Sequence, residues 1–217
     1  VDISRRGGVL MLSGGEPTLN PKLASYAALG KAEGAVLIEV QTNAILLADG
    51  VLVDSLIAAG VDEFFVSLHG SEAAISDAIT QAPGTFEKTA RGLDVLATRS
   101  TGLRVNFVFC GYNREDFPAY VDLVARRWPS ATIVVSFVAP STDMVPRSRE
   151  LIPRYSEVLP SLAEGMRRAA ELGVTVSGFE SMCGIPLCLV PSELEHFIAL
   201  DEIPDGFDQG EFVEAEA

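Results

Sequence analysis

The chain has 217 residues, 48% of them hydrophobic and 21% charged, with a formal net charge of −14. That length suits one sizeable α/β domain, and the apolar content excludes a disordered chain. The acidic balance argues against a basic nucleic-acid interface and against docking on anionic lipid, and the absence of a long apolar run or a basic leader argues against a transmembrane helix or signal peptide.

The first predicted element is an apolar strand, Val9–Leu12, which stops at Gly14, Gly15, Glu16 and Pro17. Glycines let the chain turn tightly and let a ligand approach the backbone. Pro17 removes one N–H donor. A carboxylate at the end of such a strand suits a cationic amine; the plain alternative is a strand-to-helix turn with a solvated glutamate. A helix follows from Pro21 to about Lys31, with Asn20 as N-cap. Ala35–Val40 is a second strand, ending in Gln41-Thr42-Asn43-Ala44, and Asp49 caps a helix through Ala59 that Gly60 closes. Glu63–Leu68 is a third strand, ending at His69-Gly70. A short helix runs from Ser71 to Thr80, and Thr85 caps a longer one whose Phe86, Thr89, Ala90, Leu93 and Leu96 share a face. Leu103–Phe109 is a strand, Glu115–Trp128 a helix, Ala131–Val138 a strand, Tyr155–Leu172 a helix closed by Gly173, and Val174–Ser177 a last strand.

Strand and helix alternate, and the strands are nearly continuous in apolar residues, which predicts a parallel sheet covered by helices. Six strands are too few for a closed eight-strand barrel. An open partial barrel or a doubly wound sheet remains. Either way the strand-to-helix turns share one rim, which gathers Gly14, Gly15, Glu16, Thr42, Asn43, Ser67 and His69. Asn106 and Ser136 interrupt the fourth and fifth strands in the same way. An unsatisfied buried polar group costs about 1–3 kcal/mol, so polar residues on several neighbouring strands favour a small polar ligand across the mouth. His69 reads either as a proton carrier or as a side chain hydrogen-bonded within its turn.

Gly14–Pro17 closely resembles the Gly-Gly-Glu-Pro segment of radical S-adenosylmethionine (SAM) enzymes. Thr42-Asn43-Ala44 is similar to the family's Thr-Asn-Gly, and Ser67-Leu68-His69-Gly70 to its Ser-Leu-His or Ser-Leu-Asp. Asp77–Thr80, Pro83–Phe86 and Gly92–Leu96 resemble a subgroup that modifies peptides or builds cofactors. The resemblance runs from Val9 to Pro191 and implies an open, partial (βα)6-type parallel barrel. It implies that Gly14, Gly15, Glu16 and Pro17 hold the SAM amino group, and that Thr42, Ser67 and Asn106 meet its carboxylate or ribose. Asn43, His69 and Ser136 join the SAM-binding candidates on the same rim, and the resemblance implies that the strand around Phe137 and Val138 flanks the adenine.

The resemblance also implies a [4Fe–4S] cluster on a Cys-x3-Cys-x2-Cys loop, and the three cysteines present, Cys110, Cys183 and Cys188, lack that spacing. The family's loop precedes its Gly-Gly-Glu-Pro strand, and this chain opens at Val1. The expectation is therefore the core of a longer enzyme, inactive as this piece alone. Residues 1–180 would be the core and 181–217 an extension. Within the extension, Gly184-Ile185-Pro186-Leu187-Cys188 resembles the approach to an auxiliary cluster, making Cys188 a candidate ligand; a buried, packed cysteine is the alternative. Three cysteines make no disulfide framework, so a reducing cytoplasm is the default. Eleven acidic residues and no Lys or Arg follow Arg168, which reads as a solvated tail or a linker.

The intact protein would cleave SAM reductively and start radical chemistry on a peptide or small molecule. It would take electrons from a donor such as flavodoxin or ferredoxin, and neither nucleic acid nor membrane is expected as a partner. Two other readings stand beside it. One is a degenerate scaffold or peptide-binding module of the same fold. The other is a barrel lyase with Gly14-Gly15 cradling a phosphate, which Glu16 would repel.

Overall fold

A computed structural model describes residues 8–138 and 150–178. Six parallel strands form one sheet in the order of the chain. They are β1 Val9–Leu12, β2 Leu37–Thr42, β3 Glu63–Ser67, β4 Gly102–Phe109, β5 Thr132–Phe137 and β6 Val176–Ser177. The helices are α1 Leu23–Ala32, α2 Gly50–Ala58, α3 Ala73–Thr80, α4 Thr85–Leu96, α5 Phe117–Arg127 and α6 Tyr155–Leu172. A doubly wound sheet reverses its strand order partway; this one does not. It is the open, partial βα barrel, and the expected boundary at residue 180 lies outside the described residues.

One face of the sheet carries the core. Ile38, Val40, Phe64, Val66, Val105, Phe107, Phe109, Ile133 and Val135 are fully buried against helix residues such as Leu56, Leu93, Phe117, Tyr120 and Leu162. Side chains alternate along a strand, so the register fixes what the other face shows. Gln41 stands beside Phe65, Phe65 beside Arg104, and Arg104 beside Thr132; one layer up, Ser67, Asn106 and Val134 are neighbours. This inner face is polar. Its edge strand leaves Val9 and Met11 56% and 61% exposed.

Helix starts differ from the sequence reading at α1, α3, α4 and α5, with α3 opening at Ala73 and α5 at Phe117. Pro17–Leu19 is a turn of 3₁₀ helix, and α1 begins at Leu23, because the Asn20 side chain accepts from Lys22 N–H (2.9 Å) two residues short of the helix. Thr85 is not the cap of α4: Gly84 holds that position, and the Asp77 carboxylate accepts from the N–H groups of Gly84 (2.6 Å) and Phe86 (2.8 Å). Those bonds hold the Asp77 carboxyl below its ordinary range, the Phe86 N–H contributing most. Asp49 caps α2 as expected, through Val51 N–H.

Helix α4 supports the end of β2. A Cβ added at Gly92 would lie 2.0 Å from the Ala44 carbonyl oxygen, and Ala44 itself sits in the left-handed region at φ 58°. The Ala44 oxygen is backbone and a Cβ has a fixed position on its own backbone, so no rotamer relieves the contact. Gly92→Ala gains about 1 kcal/mol of helix propensity, but forcing the backbones apart costs about 1–3 kcal/mol. The expected outcome is a melting temperature several degrees lower, with the amide signals of residues 42–45 displaced. A variant as stable as the parent would show that α4 and the turn are not in close contact.

Candidate functional site

At the carboxyl ends of β1, β2, β3 and β4 lies a cavity of about 320 Å³, lined by Ser13, Gly14, Gly15, Glu16, Gln41, Thr42, Asn43, Phe65, Ser67 and Asn106. The Glu16 carboxylate is its most heavily bonded group. Oε1 accepts from Thr18 N–H (3.1 Å), Thr18 Oγ1 (2.6 Å) and Thr42 Oγ1 (2.7 Å), while Oε2 accepts from Asn43 N–H (2.8 Å). Oε1 is saturated. Oε2 keeps one lone pair for a donor from the cavity.

The turn at the end of β2 is held on three sides. Thr42 Oγ1 accepts from Ala44 N–H (2.9 Å), Asn43 Oδ1 accepts from Ile45 N–H (3.0 Å), and Thr89 Oγ1 donates to the Asn43 carbonyl (2.9 Å). Asn43 Nδ2 has no partner among the described residues. Neither does Ser67 Oγ, nor Asn106 Nδ2. Ser136 Oγ donates to Asn106 Oδ1 (3.0 Å), which leaves the amide N–H groups as the free end of this cavity-lining side chain.

The two glycines are open to the same space. A Cβ on Gly14 or Gly15 would meet nothing within 4 Å. Gly14 has φ 138°, so its backbone needs glycine. Gly15 has no such requirement. No contact among the described residues explains its missing side chain.

Four expected site residues do not line the cavity. Pro17 opens the 3₁₀ turn, Val138 packs on the core and donates its N–H to Phe109 O (2.9 Å), and Ser136 acts through Asn106. His69 Nδ1 lies 3.2 Å from Asn106 O. It is therefore bonded across to β4, not within its own turn. Burial holds its pKa at about 4, against the backbone bond to Asn106, so the ring is neutral at pH 7. Three lining residues were not anticipated: Ser13, Gln41 and Phe65. The signal was available, since Phe65 and Gln41 lie two residues before Ser67 and Asn43.

A second cavity, about 290 Å³, is lined by Ile75, Gly111, Tyr112, Arg114, Glu115 and Asp116. Its one buried carboxylate, Asp116, is engaged by the N–H (2.7 Å) and hydroxyl of Ser71. No group of three or more metal-ligating side chains occurs among the described residues. Cys110 is buried, and desolvation pushes its thiol upward, away from the thiolate a metal needs. Cys183 and Cys188 lie outside the described residues.

A parallel βα half barrel with a polar cavity at the strand ends, closed by a Gly-Gly-Glu-Pro turn, defines a small-ligand class. The model of the radical SAM superfamily matches residues 2–124, and the chain belongs to that superfamily. Its members use SAM and a [4Fe–4S] cluster. The AdoMet-dependent heme synthase of Methanosarcina barkeri is 32% identical over 133 residues, covering 61% of this chain and 37% of that one. In fold, the chain is similar to anSMEcpe with bound AdoMet, with a TM-score of 0.64, 14% identity, and coverage of 81% of this chain and 51% of that one. Similar too is SuiB of Streptococcus suis, with a TM-score of 0.63, 13% identity, and coverage of 78% and 38%. The chain thus spans about half or less of these relatives. Among the described residues, no helix is long and apolar enough to cross a membrane.

The neutral His69 gives stability a pH dependence. Its pKa falls from 6.5 to about 4 on folding, so the unfolded chain binds the extra proton between those values. Stability is complete above pH 6.5 and falls as the pH drops toward 4. Between pH 7 and pH 5 this group alone should remove about 2 kcal/mol. Urea midpoints of the parent and of His69→Asn at both pH values should differ in slope by about that amount. Equal slopes would show that His69 titrates normally.

Proposed function

We propose that the cavity is the SAM site of a radical SAM enzyme acting on a peptide or small molecule. The observation that carries this is Gly15, a residue kept without a side chain where the fold leaves room for one. A ligand lying across the Gly14–Gly15 backbone accounts for it. The donors around the cavity fit the same ligand. The spare lone pair on Glu16 Oε2 suits an ammonium. Ser67 Oγ, Asn106 Nδ2 and Asn43 Nδ2 suit a carboxylate or ribose hydroxyls. Phe65 supplies an apolar floor.

SAM bound there would supply a 5′-deoxyadenosyl radical on reductive cleavage. The protein's own part is to hold the methionine end against the glycine turn and keep water from the reacting end. Among the described residues no set of cysteines could hold an iron–sulfur cluster. The heme synthase and the peptide-bound form of anSMEcpe support a tetrapyrrole-like molecule or a peptide as substrate, with a low-potential reductant as partner.

In the full-length protein, Gly15→Ala should leave thermal stability unchanged or raised by about 0.4–1 kcal/mol. The same substitution should lower SAM affinity, measured by calorimetry, at least tenfold. Ser67→Ala should cost about 1–3 kcal/mol of SAM binding through the group left unpaired. If both variants bind SAM like the parent, the cavity is not the site. If the parent binds no SAM and still captures peptide, the scaffold reading replaces the enzyme.

A further inference from the structure

Beneath the cavity, a chain of side chains crosses the inner face of the sheet. Ser13 Oγ donates to Gln41 Oε1 (2.9 Å), and Gln41 Nε2 donates to Glu39 Oε1 (2.9 Å). Arg104 Nη1 donates to Glu39 Oε2 (3.3 Å) and lies 3.8 Å from Glu63, with its guanidinium 5.4 Å from the centre of the Phe65 ring. Glu39 is only 3% exposed and does not line the cavity. Its position is held by Arg104 from one side and Gln41 from the other.

We infer that Gln41 is a positioning residue that clamps the glycine turn from below. The inference rests on the SAM reading of the cavity. Ser13 immediately precedes Gly14, and Glu16 immediately follows Gly15. Glu16 ties its end of the turn to Thr42 and Asn43, and Ser13 ties the other end to Gln41. Both anchors are on the same strand, β2. Among the described residues no turn or loop hydrogen bond holds the two glycines between them, so the pair of anchors fixes the backbone that the ligand meets.

The chemistry of the chain selects an amide. Gln41 must accept from a hydroxyl above and donate to a carboxylate below, and a neutral amide does both. A carboxylate at this position would accept from Ser13 but face Glu39 with no donor between them. The charged groups around it are Glu39 on its own strand, Arg104 on β4, Glu63 on β3 and Glu16 in the turn.

Two variants of the full-length protein test this: Gln41→Glu alone, and the exchanged pair Glu39→Gln with Gln41→Glu. The exchange restores one amide and one acid in reverse order, with the amide donating upward and the hydroxyl of Ser13 still donating downward. Gln41→Glu should weaken SAM binding about tenfold, and the exchanged pair should return to within about threefold of the parent. Simple attraction of a cationic ligand predicts the opposite for Gln41→Glu, which adds a negative charge beside the cavity. A direct contact between the Gln41 amide and the ligand predicts that the exchanged pair stays as weak as the single variant. Either result overturns the inference. The amide NMR signals of Gly14 and Gly15 in the ligand-free proteins read the clamp apart from SAM. They should move in Gln41→Glu and return in the exchanged pair, and unmoved signals in the single variant overturn the clamp whatever binds above it. Should Gln41→Glu fail to fold, Gln41→Leu takes its place, with the same tenfold loss expected.

Discussion

The Glu16 carboxylate is the point on which the site depends. Removing a charged group from water is costly unless donors replace the water, and four donors converge on this one. Two come from Thr18 in its own turn, and two from the end of the neighbouring strand. Local bonds shape the 3₁₀ turn; the cross-strand bonds set where it sits over β2. A solvated glutamate would do neither. Because Asn43 gives its N–H to Glu16 and receives Thr89 at its carbonyl, the constraint passes through one peptide unit into α4.

The two faces of the sheet do different work. The helix-covered face is apolar and closed, and it holds the strands in register. The inner face solves a different problem, since polar side chains there must find partners sideways, across strands. Arg104, Glu39, Gln41 and Ser13 do so in a line. A lone ion pair buried to this degree contributes little net stability, because desolvation offsets its Coulomb attraction. What the line supplies is direction. The line runs from Arg104 through Glu39 and Gln41 to Ser13, and it ends beside the glycine turn.

The elements were legible because their periodicity is local. The apolar runs gave six strands, and the shared face of Phe86, Thr89, Ala90, Leu93 and Leu96 gave α4. Helix starts were less legible where the cap is distant in sequence: Asp77 reaches Gly84 and Phe86 from seven and nine residues away, and no pattern of adjacent residues reveals that. The site was read as a rim, one residue deep. Thr42, Asn43, Ser67 and Asn106 line the cavity as that reading expected. Gln41 and Phe65 lie one pleat deeper, and only the register between strands brings them under the mouth. His69 and Ser136 are at the right height but bond to Asn106 instead of facing the cavity.

The two adjacent glycines carry different information. Gly14 is required by backbone geometry, since φ 138° is closed to residues with a Cβ. Gly15 adopts a conformation open to other residues and has empty space where its Cβ would go. Backbone geometry therefore explains the first and is silent on the second. The SAM site proposed above would account for the second, and Glu16 would limit how SAM lies there. Oε1 already has three donors, so an ammonium would approach Oε2, whose remaining lone pair must be reached from the cavity. On that reading the amine would sit beside the glycine turn and the remainder would extend over Phe65 toward Ser67 and Asn106.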